Sequence, residues 1–560
     1  MAIRITQGMI YGNYVNQMQT SLGAYMNSAE QGSTQKKVNT PSDDPAATYN
    51  ILNLRNTQSY NEQLRANCDT AKGWLKLEDS VLSTQLPTVI TSIKELAEQA
   101  STGTYTAEQR QQIAYQVRQQ FGSLLNLANT EFDGKSLFAG HKYDQPAFQE
   151  GLSLLSKDES WNKQIALGNY VIEGNSDATI AFQILPDSSG TFDALASGGN
   201  LKYRWTNDGG ENWHEVASVT TQTVGTDTYY TMDFDGVTVK INKTDAANIN
   251  LSQVDTTKEG VSSDQHTVYI HPTAIYQGDV NDEIKITTMG FGSVTTDSSK
   301  TKAQGTFSGN TLVRFEEAID LSSSGTTSGT TFKWSYSTDN GMNWVQTTGV
   351  VPASGNNLRL PLPEGYLDLA ISSTSSSTTV PKGAQVMIHP EDANLEYEIM
   401  KDTYITVNGV GKEIFGGIYD GKPVFQGRTA DLDSSNNLIN ADTGDAFVDP
   451  NNNLFEIVGN FIAYLETNNQ NGCQETLVGL TKAEEHILTQ STKVGGLENR
   501  VDVAYDVLTS QKLDISERLS YIEDIDLTEL LVKMQQQQIT YQTVLQSASR
   551  ILNLSLANYL

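Results

Sequence analysis

Heptad repeats of apolar residues at the two ends of the chain restrict its fold more than any other sequence feature. Residues 497–560 contain no Gly and no Pro, and a continuous helix over this run would be about 95 Å long. Another helix must cover its apolar stripe if the protein is to stay soluble. We therefore predict a chain that polymerises through its ends, with the closing helix of an ordinary bundle as the alternative. The stripe comprises Leu527, Leu530, Leu531, Met534, Tyr541, Val544, Leu545, Ala548, Ile551 and Leu552.

The N-terminal region carries a matching stripe with steps of four and three residues, formed by Tyr11, Val15, Met18, Leu22, Tyr25 and Ala29. A turn is predicted after it, because the residue before a proline is pushed out of the helical region. The turn residues are Pro41, Asp43, Asp44 and Pro45. Further apolar periodicity predicts helices over residues 64–100 and 106–128, and again after residue 450. Thr106 and Gln109 have the spacing of a capping box, which predicts the start of the helix over 106–128. The pair Gly495-Gly496 is expected to end one helix just before the last one begins.

Between the helical ends, residues 150–450 are rich in Gly, Ser, Thr, Asn and Asp with short β-branched runs, which is typical of all-β domains. An internal repeat lies within this region. Residues 201–213 (LKYRWTNDGGENW) align with 332–344 (FKWSYSTDNGMNW), and Ile270-His271-Pro272 recurs as Ile388-His389-Pro390. The repeat predicts two related β-sandwich domains in tandem.

The predicted fold is an α+β multidomain chain, with a split N-/C-terminal coiled-coil-like helical core and two tandem inserted all-β sandwich domains. Residues 1–45 and 521–560 are assigned to terminal helices. Residues 46–142 and 451–520 are the two halves of the helical core. Residues 150–290 and 291–410 are the two β domains, and 411–450 form a return connection.

The charge of the chain excludes several kinds of partner. Acidic residues outnumber basic ones 66 to 37, a formal charge of −29. Nucleic acid and anionic membranes are not expected to bind, because they need clustered Lys and Arg.

Cys68 and Cys473 are predicted to be idle thiols, with one bridge between them as the alternative. Residues 1–20 lack a signal-peptide pattern, so we expect a cytosolic protein or export by a route that reads no cleaved signal.

Catalytic and metal-binding patterns are missing from the sequence, so we predict no enzyme activity, no cofactor and no metal. The six histidines are scattered, and His214-Glu215 lacks the second His of a zinc protease motif because Ser218 occupies that position.

Both repeated hairpins resemble the Asp-box of sialidases, in which the Asp braces a tight turn. Trp213 and Trp344 are therefore predicted to be core residues, and sugar recognition by exposed Trp is the alternative.

Four motifs resemble the bacterial flagellin family, and within it the members that join hook to filament. They are residues 38–46 (VNTPSDDPA), 132–140 (FDGKSLFAG), 523–526 (EDID) and 555–560 (SLANYL). The resemblance covers residues 1–142 and 455–560. It implies a structural subunit of the bacterial flagellum, exported unfolded by the flagellar type III apparatus. Its terminal helices would form an inner core, and its β domains would face outward.

The resemblance also implies the partners. These are other copies of the chain in a ring or helical tier, another hook-associated protein on the hook side, flagellin on the filament side and an export chaperone. A filament flagellin is the alternative within the family, and a flagellum-presented glycan-binding adhesin is the alternative from another class. The predicted assembly residues are Tyr11, Val15, Met18, Leu22, Tyr25, Leu527, Leu531, Met534, Tyr541, Leu545, Ile551 and Leu552, with Pro41, Asp43, Asp44 and Pro45 in the turn.

Overall fold

The chain divides into two compact units. The computed structural model describes residues 7–185, 201–216, 218–224, 227–251, 267–281, 284–297, 300–305, 307, 309–320, 329, 331–351, 357–372, 378–425, 429–432, 437–440 and 452–557. Within these, the first unit comprises residues 7–72, 397–405 and 499–557. The second comprises residues 73–396 and 406–498.

The helices lie mainly in the two terminal regions of the described chain. They are α1 (Gln7–Thr34), α2 (Pro45–Asp79), a π-helical segment (Ser80–Gln85), α3 (Leu86–Ser101), α4 (Ala107–Ala128), α5 (Glu159–Ala166), α6 (Lys243–Ala246), α7 (Gly411–Phe415), α8 (Leu454–Glu466), α9 (Gln470–Glu523) and α10 (Leu527–Ala557). The predicted capping box at Thr106 and Gln109 opens α4. No helix within the described ranges is long and apolar enough to span a bilayer.

Strands fill the middle of the chain. They are β1 (Glu131–Phe132), β2 (Lys135–Ser136), β3 (Phe148–Ser156), β4 (Tyr170–Gly174), β5 (Ile180–Leu185), β6 (Lys202–Thr206), β7 (His214–Val216), β8 (Thr220–Val224), β9 (Asp227–Phe234), β10 (Val237–Asn242), β11 (Val268–Tyr276), β12 (Ile284–Met289), β13 (Lys302–Gly305), β14 (Thr311–Phe315), β15 (Ile319–Asp320), β16 (Thr331–Ser337), β17 (Val345–Val350), β18 (Asn357–Leu362), β19 (Gly365–Ala370), β20 (Thr379–Val380), β21 (Gln385–Pro390), β22 (Glu396–Met400), β23 (Thr403–Thr406), β24 (Ile418–Tyr419), β25 (Lys422–Pro423), β26 (Ala430–Leu432) and β27 (Leu438–Asn440). The predicted fold class, with helical ends around a β-rich middle, is confirmed.

The predicted helix break at Gly495-Gly496 is wrong. Helix α9 runs through both glycines and ends at Glu523 instead. Its buried stripe has unbroken heptad spacing, and this packing outweighs the low helix propensity of glycine. A single helix over residues 497–560 is wrong as well, because α10 begins anew at Leu527. The stripe is Cys473, Leu480, Ile487, Val494, Val501, Leu508 and Ile515.

In the first unit, α1 packs along α10, and the first part of α2 packs along the last part of α9. The Arg65 guanidinium donates to the Tyr505 hydroxyl at 2.9 Å and lies 4.9 Å from the centre of its ring. The hairpin β22–β23 completes the unit. Asn67 donates to the Glu398 carbonyl at 2.9 Å, and Tyr60 donates to the Glu398 carboxylate at 2.7 Å. Residues 397–405, assigned from the sequence to the second β domain, therefore belong with the terminal helices.

In the second unit, α4 packs between α3 and α8. The buried Arg110 side chain donates to the carbonyls of Ala100, Thr102 and Tyr105 and to the Asn468 side chain. Arg118 pairs with Glu466 through two hydrogen bonds of 2.7 and 2.9 Å. Through these contacts, Arg110 and Arg118 hold the α3–α4 loop and the end of α8 in place.

The first sandwich packs two sheets around a large aromatic core. One sheet has the order β4-β10-β9-β8, and the other has the order β25-β24-β11-β5-β6-β7 with β3 on β11. Phe182, Tyr230 and Phe234 are fully buried between them. Strands β24 and β25 lie in the predicted return connection, so part of that connection extends this sheet.

The second sandwich repeats this topology. Its sheets have the orders β12-β21-β14-β16-β17 and β13-β19-β18, which match β3-β11-β5-β6-β7 and β4-β10-β9 strand for strand. Val313, Phe315 and Trp334 are fully buried between them. Strand β12 precedes the predicted division at residue 291, yet it pairs with β21 of the second sandwich.

The predicted core role of Trp213 and Trp344 is wrong, because both side chains are only half-buried. Trp205 and Trp334 occupy the two cores instead. The Arg204 and Arg314 guanidinium groups lie 5.0 and 4.2 Å from the centres of the Trp213 and Trp344 rings. Asp208 and Asp339 brace the two turns by accepting from the Asn212 and Asn343 backbone N–H groups. Partial burial acts to raise the pKa of Asp208, but the hydrogen bonds to its carboxylate together outweigh this effect, and similar bonds act on Asp339, so the pKa of each is lowered to about 2.

The cysteine alternatives are resolved in favour of two free thiols. Cys68 and Cys473 are both buried and unbridged. Burial raises the pKa of each thiol to about 11, so neither is a reactive thiolate at neutral pH.

Candidate functional site

The candidate site is the pair of terminal helices in the first unit, α1 and α10. The two helices lie side by side. Leu530 is 3% exposed and lies 3.4 Å from the position that a Cβ on Gly32 would take. Met534 lies 3.6 Å from the same position. Both are ordinary van der Waals distances, so α10 lies directly against the end of α1 at Gly32.

The predicted assembly residues divide between two surfaces. Val15, Met18 and Tyr25 on α1 and Met534 and Tyr541 on α10 are half-buried. A second group, which we call the exposed flank, comprises Tyr11 (57% exposed), Leu22 (37%), Leu527 (45%), Leu531 (60%) and Leu545 (39%). The side chains of Ile551 and Leu552 lie outside the described part of the structure, as do residues 558–560 of the closing motif.

Four more exposed apolar residues lie on these helices, and the sequence analysis did not select them. They are Met9 (57% exposed), Met26 (63%), Val532 (63%) and Ile539 (64%). The helical spacing of these residues could have identified them in the sequence. Met26 follows Leu22 by one helical turn, and Val532 and Ile539 are one heptad apart. A single pair of helices therefore leaves much of its apolar surface in water.

The turn after α1 is fixed by its two aspartates. The Asp43 carboxylate accepts from the Asn39 and Thr40 backbone N–H groups at 3.1 and 2.9 Å. These hydrogen bonds, with that to Thr40 the larger cause, lower the pKa of Asp43. The Asp44 carboxylate accepts from the N–H groups of Ala46 and Ala47, both at 3.0 Å. Asp44 is thus the N-cap of α2, and Pro45 occupies its first position, where no N–H is needed.

The acidic motif between α9 and α10 joins three segments of the unit. Glu523, 4% exposed, forms ion pairs with Lys36 and with Arg55. Its carbonyl accepts from the Lys37 N–H at 2.7 Å, and the Gln35 carbonyl accepts from the Ile525 N–H at 3.2 Å. The roles of Lys36 and Arg55 were missed in the sequence, since nothing in their spacing points to a residue almost 500 positions away.

Asp526 starts the last helix. Its carboxylate accepts from the Thr528 and Glu529 N–H groups at 2.8 and 3.3 Å, as an N-cap does. These bonds, with that to Glu529 the larger cause, lower the pKa of Asp526. The site holds helices in place and exposes apolar side chains, and among the described residues it contains no cluster that could hold a metal ion.

Comparison with known proteins gives matches for both terminal regions of the chain. Residues 5–143 match the family model of the bacterial flagellin N-terminal helical region, and residues 477–560 match that of the C-terminal helical region. The two matches include α1 and α10, the pair that forms the candidate site.

Two curated relatives are flagellar hook-associated proteins 3. The protein from Escherichia coli is 31% identical over 201 residues, which cover 36% of this chain and 63% of that protein. The protein from Salmonella typhimurium is 31% identical over 180 residues, which cover 32% of this chain and 56% of that protein. The chain thus spans less than two thirds of the length of either relative. The solved flagellar junction protein from Legionella pneumophila is 14% identical, with 85% of this chain and 100% of that chain covered and a TM-score of 0.26.

Proposed function

We propose that this chain, whose two ends match the family models of the flagellin N- and C-terminal helical regions, is a structural, non-enzymatic subunit that joins the hook to the filament of the bacterial flagellum. The order of motifs and the names of both curated relatives support this role. The observation that carries it is the exposed flank of α1 and α10. Apolar side chains of this size and number on a helix pair need a partner surface.

The partner of the exposed flank is another subunit of the same assembly. Copies that meet through two different surfaces form rings or helical arrays, since such contacts do not close within a pair. Each copy would bury part of the next copy's flank, including Leu531 and Leu545. The two β-sandwiches, which lie between the terminal regions in sequence, would face outward from this core.

The remaining partners follow from the proposed position of the chain between the hook and the filament. The chain would contact another hook-associated protein on the hook side and flagellin on the filament side. It would reach that position unfolded, with an export chaperone and through the flagellar type III apparatus. Two free thiols and no disulfide suit a chain that must be threaded through a channel and then refold.

The location of the protein along the flagellum tests this proposal. Gold-labelled antibody against the second sandwich, applied to intact flagella of the native bacterium, should mark one short zone between hook and filament. Label along the whole filament would identify a filament flagellin instead. Absence of label from flagella, with the protein present in the cell, would contradict a flagellar role.

A further inference from the structure

The turn that joins β16 to β17 in the second sandwich carries an Asn-Gly pair at its tip. Asn340 and Gly341 have φ angles of 57° and 88°, which lie in the left-handed region that Gly and Asn adopt most readily. The Asn340 side chain is exposed, and no hydrogen bond holds its amide among the described residues. The amide is therefore free to change its position relative to the backbone.

The equivalent turn in the first sandwich has no room for a side chain at this position. The repeat aligns Asn340 with Gly209, which has a φ of 75°. A Cβ on Gly209 would lie 2.4 Å from the Glu466 carbonyl oxygen at the end of α8. The first turn thus packs against a helix, whereas the second turn presents Asn340 to solvent.

Asn-Gly pairs also occur in the sequence at residues 408–409 and 471–472, and the structure restrains both. Asn408 is 7% exposed. Its side-chain oxygen accepts from the Leu395 N–H at 2.7 Å, and its side-chain nitrogen donates to the Ala393 carbonyl at 2.8 Å. Both polar atoms of the Asn408 amide are therefore held, and the amide carbon reaches the Gly409 nitrogen only after these bonds break.

The pair Asn471-Gly472 is held by the first turn of α9. The Gly472 N–H donates to the Asn469 side-chain oxygen at 3.0 Å. A Cβ on Gly472 would lie 2.3 Å from the Tyr464 ring, so this part of the backbone lies directly against α8. A helical backbone also fixes ψ, which keeps the Gly472 nitrogen from turning toward the Asn471 side chain. Asn340 is thus the least restrained asparagine of the three pairs.

We propose that Asn340 is a site of spontaneous deamidation. The Gly341 backbone nitrogen attacks the side-chain amide carbon of Asn340, and the new C–N bond closes a succinimide ring. The side-chain nitrogen takes up the proton that Gly341 loses and leaves as ammonia. Water then opens the ring at either carbonyl and gives aspartate or isoaspartate. Glycine favours the first step because it has no Cβ to hinder the approach.

The Gly341 N–H must first leave its hydrogen-bond partner. It donates to the Ser337 hydroxyl at 2.9 Å, a neutral hydrogen bond in a hairpin turn that opens locally at low cost. Asp339, which braces the turn, accepts from the Asn343 N–H at 2.8 Å. Both products place a new carboxylate beside Asp339, and isoaspartate also lengthens the backbone of the turn by a carbon atom. Deamidation therefore changes the charge of this turn, and isoaspartate changes its geometry as well.

Peptide mapping by mass spectrometry tests the proposal on the purified full-length chain, aged in a mildly alkaline buffer. We expect Asn340 to convert at least about tenfold faster than Asn408 or Asn471, because those pairs react only after local opening. In denaturant, where no structure restrains any pair, the rates at the three pairs should become similar. No conversion at Asn340, equal rates in the folded chain, or the same ranking in denaturant would overturn the proposal.

Isoelectric focusing of the aged chain gives a second test. The variant Asn340→Gly introduces the residue that the first repeat has at this position, and glycine suits the left-handed φ. We expect this variant to form several-fold less acidic product than the wild type, whereas the matched control Asn471→Gln should form as much as the wild type. Equal amounts of acidic product from Asn340→Gly and the wild type would contradict the proposal. Because the purified chain is sufficient for both tests, their outcome is independent of the proposed flagellar role.

Discussion

Glu523 is a buried carboxylate with cationic partners from two other segments of the first unit. Lys36 and Arg55 are 41% and 48% exposed at their side chains, against 6% for Glu523. Water can therefore solvate the two cations when the pair is broken, but it cannot reach the carboxylate in the same way. Glu523 therefore contributes to stability mainly through the hydrogen bonds that its charged, desolvated carboxylate accepts.

Replacing Glu523 with Gln should weaken the connection between the end of α1 and the end of α9. We expect a loss of about 1–3 kcal/mol in the free energy of unfolding, because charge-assisted hydrogen bonds are lost. Chemical denaturation followed by circular dichroism measures this loss. Asp514→Asn is the matched control, since the Asp514–Arg518 pair is exposed at both side chains and should change stability by less than about 0.5 kcal/mol. An equal effect of both variants would argue against the role of Glu523.

Glu78 makes the stability of the second unit decrease with rising pH between pH 4.5 and about pH 8. The residue is 3% exposed, and burial, aided by the charge of Asp79, raises the pKa of Glu78 to about 8. The folded chain thus keeps a proton that the unfolded chain loses near pH 4.5. Stability from this group is fully present below pH 4.5 and is lost as the pH rises to about 8.

The variant Glu78→Gln should therefore melt at a higher temperature than the wild type at pH 9 and at a similar temperature at pH 4. A gain of about 1–3 kcal/mol at pH 9 is expected, since each pKa unit corresponds to about 1.4 kcal/mol and relaxation reduces the total. Scanning calorimetry at both pH values measures it. A melting difference that does not change with pH would refute the assignment.

At the scale of elements, the glycines of the helices have opposite roles. A Cβ on Gly495 or Gly496 would meet no atom within 4 Å, whereas one on Gly459 would meet the Pro272 carbonyl at 2.2 Å. The first two glycines weaken α9 without any packing reason, and the third allows α8 to approach the sheet.

We expect Gly495→Ala and Gly496→Ala each to stabilise the chain by about 1 kcal/mol, the difference in helix propensity. Gly459→Ala should destabilise it by about 1–3 kcal/mol, because the new methyl group overlaps the backbone. Thermal unfolding of the three variants under one buffer condition compares them. Destabilisation by the alanines in α9 would show that this segment of the helix needs glycine for another reason.

The sequence predicted elements well where periodicity was long and local. Both terminal stripes, the capping box at Thr106 and the internal repeat all follow from spacing alone, and the turn after α1 was expected from its prolines. The break after Glu523 was missed because it contains neither Gly nor Pro, and an N-cap Asp526 is inconspicuous in an acidic chain. The division of the assembly residues into a half-buried group and an exposed flank depends on which face of each helix is covered by the other, and heptad spacing does not specify that. Trp205 and Trp213 could not be ranked by sequence, since the pairing of β6 with β5 places Trp205 in the core and Trp213 lies in the turn between β6 and β7.

At the scale of the whole molecule, the terminal helices should be the least stable part of the free chain. Their apolar surface is only partly covered, and segments with few buried contacts open locally at low cost. Hydrogen exchange on the monomer should therefore show fast exchange over residues 11–29 and 527–556, and slow exchange over α4 and α8. The same terminal residues should become protected in assembled flagella. Strong protection of both termini in the monomer would contradict this expectation.

Removing most of α10 tests whether the terminal helices are an assembly device. A chain that ends at Leu530 lacks most of α10 but keeps both sandwiches and the helices of the second unit. We predict that cells carrying only this chain assemble hooks without attached filaments in electron micrographs and do not swim, while near-ultraviolet circular dichroism of the purified chain retains the signal of its buried Trp residues. Full-length filaments and normal swimming with the shortened chain would show that α10 is not needed for assembly.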